Sequence, residues 1–390
     1  MPHPVPACVR RCIPFLLFWA LLHDGRAEEP ADLGRLLEPI RADRGLPALA
    51  AIVLSGDRII AQGAVGTRQT GSAEAVTLRD KFHLGSDTKA MTATMIARLV
   101  ERGQLKWDTT VGEVFGSVES MDAAWRNVTL AQLLTHRAGA PHDLEAGGLG
   151  AQLRQRRGTP SEQRLQLVRG VVSRPPVNPP GTTYLYSNAG FAIAGAMAEV
   201  VTGQPWETLM QDELFGPLEI STAGFGAPGT PGALDQPVGH TADGQAVPAG
   251  PRADNPPAIG PAGTVHMSLP DWARFIALHL RGDPANPQRQ ARLLKPESFA
   301  WLHAAATGPG EKYAAGWLVT ERAWARGAGA GDHGLALNHA GSNTMWFCVT
   351  WLAPERDFAV LIACNRGGDA AARACDQVAG ALIQTYLPKK

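Results

Sequence analysis

The stretch HLGSDTKAMTATMIARLV, residues 83–100, lies where strand-like sequence gives way to helical sequence. From residue 91 onward it has the pattern of a buried helix, because apolar side chains recur at four-residue spacing: Met91, Met95 and Leu99, together with Ile96 and Val100. The residues just before this pattern are polar, and they include Ser86 and Lys89. A hydroxyl and an amine three residues apart at the start of an apolar helix require a physical reason.

Ser86 and Lys89 have the spacing of a nucleophile and the group that activates it. A serine hydroxyl is a weak nucleophile until a neighbouring base takes its proton. Residues i and i+3 share one face of a helix, and a buried lysine has a lowered pKa that lets it act as that base. The helix N-terminus also favours negative charge near Ser86. The alternative for this short motif is a Ser86 N-cap with Lys89 reaching solvent.

Strand patterns occur at both ends of the chain, and helical patterns fill the middle. They include two strands at 46–66 around a Ser55-Gly56-Asp57 turn, a helix at 31–45, a Pro- and Gly-rich loop at 224–265, strands at 312–320, 336–342, 344–351 and 357–364, and a closing helix at 369–387. This order predicts an α+β or α/β fold: one antiparallel sheet built from both chain ends and flanked by helices, with a large, mostly helical insertion. We expect the sheet part at about 31–85 and 310–390 and the helical part at about 86–309.

Residues 1–27 have the pattern of a secretory signal peptide. Two arginines precede an apolar run from Cys12 to Leu22, and small residues then lead to an expected cleavage site after Ala27. The run is shorter than the roughly 20 residues that span a bilayer. We therefore expect a mature domain at 28–390 without a stable membrane span, located in the periplasm or secreted; an uncleaved anchor is the alternative.

The composition argues against several partners and cofactors. Lys+Arg and Asp+Glu both total 36, so the zero net charge gives no reason to expect binding to nucleic acid or an anionic membrane. Three cysteines remain in the mature chain without metal-ligand spacing, and we expect them as free thiols, with one disulfide as the alternative: Cys348, Cys364 and Cys375. His136 and His142 lie in a Gly- and Pro-rich loop, where a metal-binding role is not expected. We expect no metal and no cofactor.

A second polar motif, Tyr186-Ser187-Asn188, lies between a Pro-Pro-Gly turn and a helical pattern. A phenol beside a lysine ammonium is expected to ionise more easily and can relay protons to and from a serine oxygen. Asn188 can hold the lysine amine and bond to a substrate amide. The alternative is a core tyrosine with Asn188 as the helix N-cap. Tyr184 lacks an Asn two residues later.

A third motif, His339-Ala340-Gly341, lies on a predicted strand. Gly341 is the position where a substrate backbone would need a close approach. An extended substrate can pair with the strand edge there. The Ser342 N–H can then join the Ser86 N–H in an oxyanion hole.

Together, in this order, the three motifs resemble the signature of the serine β-lactamases and penicillin-binding proteins: S-x-x-K, then Y-x-N, then K-T-G or a variant. The likeness extends from about Ala31 to Leu387, and FHLGSDTK, LLTHRAGAP, PPGTTYLYSNAGF and GPAGTVHMS look like stretches of the class C β-lactamase, DD-peptidase and related-esterase branch. The resemblance implies a catalytic Ser86 with Lys89 and Tyr186 sharing the acid–base work, and it leaves open which of the two is the base. It also implies a set of substrate-binding residues: Asn188, His339, Gly341 and Ser342.

The third motif departs from the β-lactamase pattern. His339 and Ala340 replace the Lys and Thr of K-T-G, and a mostly neutral His binds a substrate carboxylate less well than Lys does. The resemblance implies an exported serine hydrolase that cleaves an ester, amide or lactam bond of a small molecule or peptide through an acyl-enzyme. Esters and peptides rank ahead of β-lactams as its substrates. The alternative is an inactive, penicillin-binding-like binding or sensor module.

Overall fold

The computed structural model describes residues 1–4 and 29–388. Apart from its first four residues, the expected signal peptide lies outside the described residues. No helix in the described part of the chain is long and apolar enough to cross a membrane.

Strands lie at both ends of the chain, and helices fill most of the middle. The strands are β1 (Ala31–Asp32), β2 (Ala48–Ser55), β3 (Arg58–Gly66), β4 (Lys81–His83), β5 (Gly224–Phe225), β6 (Gly239–His240), β7 (Ala246–Val247), β8 (Val265–Ser268), β9 (Tyr313–Ala314), β10 (Trp317–Glu321), β11 (Leu335–Ser342), β12 (Phe347–Ala353) and β13 (Phe358–Cys364). The α-helices are α1 (Gly34–Asp43), α2 (Thr88–Glu101), α3 (Val111–Phe115), α4 (Leu130–Leu134), α5 (Leu149–Arg154), α6 (Pro160–Val172), α7 (Asn188–Thr202), α8 (Trp206–Met210), α9 (Gly260–Gly263), α10 (Leu269–Gly282), α11 (Pro296–His303) and α12 (Asp369–Tyr386).

The large sheet combines strands from both ends of the chain. Its order within the described residues is β1-β3-β2-β13-β12-β11-β10-β9, so that β13 pairs with β2. The pairings are antiparallel except for the short parallel contact between β1 and β3. The predicted antiparallel sheet, built from both chain ends and flanked by helices, is confirmed.

Both faces of the sheet are covered, which explains the nearly continuous apolar sequence of its central strands. Successive side chains of a strand point to opposite faces. On β2, Ala51 and Val53 pack in the core formed with α1 and α12, whereas Ile52 and Leu54 belong to the larger core on the other face. Since α10 packs against β2 and β13 on that second face, the sheet is a central layer between two sets of helices.

The strand predicted at 312–320 is divided into β9 and β10 by a tight turn. Gly316 in this turn has a φ of 97°, and a Cβ added to it would lie 2.3 Å from the Ala90 Cα. A side chain there would therefore collide with α2, the helix that follows Ser86. The turn places the edge of the sheet directly against α2.

Two other predicted elements differ at their boundaries. The helix predicted at 31–45 begins only at Gly34, because Ala31 and Asp32 pair with β3. The loop predicted at 224–265 contains short elements, of which β5 and β8 join β4 in a three-stranded sheet. Elements of two to four residues are too short to produce a periodic sequence pattern.

Candidate active site

Ser86 lies in a 3₁₀ turn, Gly85–Asp87, that leads into α2. The α-helix begins at Thr88, two residues later than the sequence predicts. Gly85 has a φ of 48°, and a Cβ added to it would lie 2.3 Å from the Ser342 backbone nitrogen. The turn that carries Ser86 therefore packs tightly against the end of β11.

Lys89, in the first turn of α2, is completely buried. Its Nζ lies within hydrogen-bond distance of Ser86 Oγ at 3.0 Å, of Asn188 Oδ1 at 2.8 Å and of the Ala262 carbonyl oxygen at 2.8 Å. The alternative of a lysine that reaches solvent is wrong. Burial lowers the pKa of Lys89 well below its usual value, and the nearby Asp87 carboxyl opposes that shift only in part.

Tyr186 is the second polar side chain, after Lys89, that contacts the Ser86 hydroxyl. Its phenolic O–H donates to Ser86 Oγ at 2.8 Å, and the Lys89 Nζ lies 4.7 Å from the centre of its ring. The expectation that a lysine ammonium makes this phenol easier to ionise is wrong in direction. Burial raises the pKa of Tyr186 well above its usual value and outweighs the hydrogen bond to Ser86, so the phenol keeps its proton at neutral pH.

Asn188 is the first residue of α7, and its side chain faces Lys89. The N-cap of this helix is Ser187, whose Oγ accepts a hydrogen bond from the Gly190 N–H at 3.3 Å. The alternative that Asn188 caps the helix is therefore wrong. Its Oδ1 holds the Lys89 amine, which leaves the amide nitrogen as a donor on the same side chain.

His339 is buried on β11 and is neutral. Its Nδ1–H donates to the Ala340 carbonyl at 2.8 Å, and its Nε2 accepts from the Tyr313 hydroxyl at 3.1 Å. Burial is the main cause that lowers the pKa of His339 to about 3. The strand side of the site thus presents no cation at the position of the third motif.

Gly341 is needed for packing within the chain. A Cβ added to it would lie 1.9 Å from the Leu84 carbonyl oxygen and 2.8 Å from Asp87 Oδ2. The turn that carries Ser86 makes a close approach to β11 at this position. This contact locks β11 against that turn.

The side chain of Ser342 is already bonded within the following turn, so the backbone is the part of this residue that can contact a ligand. The hydroxyl donates to the Trp346 carbonyl at 2.7 Å and accepts from the Thr344 N–H at 3.0 Å. Among the described strands, β10 pairs with β11 only from Leu335 to Asn338, so the edge from His339 to Ser342 is open on that side. An extended substrate can reach this edge.

Several residues around Ser86 are not identified from the sequence. His83 Nδ1 accepts the Gly85 N–H at 3.0 Å, and its Nε2 lies 2.7 Å from Asp254 Oδ1. Asp254 Oδ1 also accepts from Asn343 Nδ2 at 3.1 Å. The stretches FHLGSDTK and GPAGTVHMS contain His83 and Ala262, but the sequence gives neither of them a role.

A cavity of 750 Å³ opens beside Asn188. Its walls come from segments 142–145 and 153–156, the loop 251–259 and the hairpin 343–345. The volume is typical of small-molecule sites. The cavity therefore offers space for the part of a substrate that extends away from Ser86.

The three described cysteines are buried free thiols, as expected. Cys348 Sγ contacts the Leu84 carbonyl and Asp87 Oδ2, both at 3.2 Å, beneath the Ser86 turn. The sulfurs of Cys364 and Cys375 lie 3.9 Å apart and are not bonded to each other. Among the described residues, no group of three or more His, Cys, Asp or Glu side chains could hold a metal ion.

Comparisons with known proteins agree with this fold. The Beta-lactamase family model matches residues 33–384. Penicillin-binding protein 4 of Amycolatopsis lactamdurans is 30% identical over 77% of this chain and 73% of its own length. An unguisins hydrolase of Aspergillus violaceofuscus is 27% identical over 59% of this chain, which spans 41% of that protein's length. The octameric penicillin-binding protein homologue from Pyrococcus abyssi superimposes with a TM-score of 0.71 and 20% identity, covering 91% of this chain and 78% of the homologue.

Proposed function

The chain belongs to the Beta-lactamase family, and we propose that it is a serine hydrolase that cleaves an ester, amide or lactam bond through an acyl-enzyme at Ser86. The observation that carries this proposal is that Ser86 Oγ is within hydrogen-bond distance of both Lys89 Nζ and Tyr186 OH. A nucleophile so placed between a buried amine and a phenol can lose its proton as it attacks a carbonyl carbon.

The pKa shifts favour Lys89 as the base of the acylation step. Burial favours the neutral amine of Lys89 and the protonated phenol of Tyr186. In this state the lysine lone pair accepts the proton of Ser86 as its oxygen attacks the carbonyl carbon. When the intermediate collapses, the proton passes to the leaving alcohol or amine, with the Tyr186 hydroxyl as the relay.

The carbonyl oxygen becomes negatively charged in the tetrahedral intermediate. We assign its binding to the backbone N–H groups of Ser86 and Ser342, since the Ser86 turn and the end of β11 lie in direct contact. Water then attacks the acyl-enzyme with the same groups acting in reverse, which releases the acid and restores the Ser86 hydroxyl.

Neutral esters and peptides rank ahead of β-lactams as substrates in this proposal. The reason is His339, which is buried, uncharged and already bonded on both ring nitrogens. It offers no cation to the carboxylate of a β-lactam. The sequence of residues 1–27 adds the proposal that the enzyme is exported to the periplasm or secreted.

Intact-mass measurement tests the proposed function. We expect an adduct of the acyl group after incubation with a p-nitrophenyl ester, and a slower or weaker adduct with a β-lactam. Ser86→Ala is the control and should form neither. If the purified protein binds such compounds without any covalent adduct or turnover, it is a binding or sensor module instead.

A further inference from the structure

The backbone on either side of Tyr186 is held by a single loop, residues 135–142. The Leu185 N–H donates to the His136 carbonyl at 2.8 Å, and the Ser187 N–H donates to His136 Nδ1 at 3.1 Å. The Tyr186 carbonyl accepts from His142 Nδ1 at 2.9 Å. This loop therefore fixes the backbone immediately before, at and after the proposed proton relay.

His136 is the central residue of this arrangement. It is 2% exposed, and its ring centre lies 4.3 Å from that of Tyr186. Because Nδ1 accepts the Ser187 N–H, the ring proton of a neutral His136 is on Nε2. Burial lowers the pKa of His136 well below its usual value, so the ring stays neutral and keeps Nδ1 as an acceptor.

The backbone of His136 is in the left-handed region, with a φ of 57°. This conformation is uncommon for residues other than glycine, and Asn, Asp and His tolerate it best. It directs both the carbonyl and the ring nitrogen of one residue toward the segment 185–187. Strained residues of this kind are held in place by the surrounding structure and cluster at functional sites.

We propose that His136 is a positioning residue that holds the Tyr186 hydroxyl at hydrogen-bond distance from Ser86, by accepting the Ser187 N–H and by presenting its carbonyl to Leu185. His136 has no contact with the reacting atoms and acts only through Tyr186. The proposal therefore rests on the function proposed above. A displacement of the phenol by about 1 Å can lower a catalytic rate on the order of 100-fold.

A matched pair of variants separates this role from simple packing. His136→Asn tolerates the left-handed backbone and places its amide oxygen near the position of Nδ1. His136→Gln has one more methylene, which carries its oxygen past the Ser187 N–H. We expect His136→Asn to stay within about threefold of wild type and His136→Gln to lose about 10- to 100-fold in kcat with little change in KM. Equal activities of the two variants would overturn the proposal.

The decisive comparison repeats His136→Gln in a Tyr186→Phe background. If His136 acts through Tyr186, the substitution should cause no further loss of kcat there, because the hydroxyl that it positions is gone. A loss of the same size in both backgrounds contradicts the proposal. If His136→Gln does not fold, His136→Gly, which accepts the left-handed backbone and removes the Nδ1 acceptor, allows the same comparison.

His240→Gln is the control for loss of a buried histidine, because the ring of His240 bonds to Thr70 and Asn365 in another part of the fold. It should leave kcat within about threefold of wild type. Measuring acylation of the wild-type protein separates failure of the proposed function from failure of the role proposed for His136. A wild type that forms no acyl-enzyme contradicts the proposed function, whereas an acylated wild type with an unaffected His136→Gln variant contradicts only the role of His136.

Discussion

His83 Nε2 lies 2.7 Å from Asp254 Oδ1, and both side chains are almost completely buried. The other nitrogen of the same ring accepts the Gly85 N–H. Asp254 Oδ1 also accepts a hydrogen bond from Nδ2 of Asn343, the residue that follows Ser342 in the turn between β11 and β12. One buried pair therefore connects the loop 251–259 to both backbone segments of the proposed oxyanion hole.

Asp254→Ala should destabilise the protein and lower its activity. The substitution removes an acceptor of the buried Asn343 amide and the carboxylate that lies against the buried His83 ring, which costs about 1–3 kcal/mol of the free energy of unfolding. Urea unfolding measures this loss. Asp376→Ala removes an exposed carboxylate on α12 and should change the free energy by less than about 0.5 kcal/mol. If Asp254→Ala lowers the free energy of unfolding as little as Asp376→Ala does, the contacts of Asp254 do not stabilise the protein.

Tyr186→Phe should lower kcat about 10²–10⁴-fold and change KM far less, because the phenolic proton is used in the transition state. The matched control is Tyr184→Phe, which removes a half-buried hydroxyl two residues away. Steady-state kinetics with a p-nitrophenyl ester measures both. A Tyr186→Phe enzyme within threefold of wild type would mean that the tyrosine only fills the core.

The pH dependence should follow the protonation of Lys89. Only the neutral amine can accept the Ser86 proton, and burial lowers the pKa of Lys89, so kcat/KM should rise as the pH increases through that lowered pKa. His339, with a pKa of about 3, should not contribute a step near neutral pH. A pH–rate profile between pH 5 and 9 tests this, and activity that falls from pH 5 to pH 7 contradicts it.

His339→Lys should shift specificity toward substrates that carry a carboxylate. The lysine stem is long enough to bring its ammonium group out of the site of the imidazole. A cation about 4 Å from a carboxylate, at an effective dielectric constant of about 20, gains up to about 4 kcal/mol before desolvation. Even a quarter of this gives a several-fold change in kcat/KM.

The measurement compares a carboxylate-bearing lactam with a neutral ester at pH 7.5, on wild type and on His339→Lys. Ala340→Thr, which changes the neighbouring exposed residue without adding charge, is the matched control. If the ratio of kcat/KM for the lactam to kcat/KM for the ester is the same in wild type and in His339→Lys, specificity is determined by the cavity beside Asn188 instead.

The parts of the site that the sequence predicts are those with local spacing. Ser86 and Lys89 meet because they are three residues apart at a helix start, and Tyr186 and Asn188 flank the N-cap of α7. The predicted strand at 336–342 is likewise found, as part of β11. In each case a short-range pattern determines which side chains share a face.

The remaining parts depend on contacts between distant segments. The Ala262 carbonyl binds Lys89, but every residue has a carbonyl, so no sequence pattern identifies it. The His83–Asp254 pair joins a strand to a loop without regular periodicity. The direction of the Tyr186 pKa shift also cannot be predicted from the motif, because it depends on burial, which outweighs the hydrogen bond to Ser86.

The most direct test of the proposed mechanism is peptide mapping after the enzyme is trapped with a slowly hydrolysed acylating agent. Digestion and mass spectrometry then locate the acyl group along the chain. The proposed mechanism predicts one label, on Ser86, that is absent from Ser86→Ala and accumulates more slowly in Tyr186→Phe. A label on another serine, or no label with any acyl donor, contradicts it.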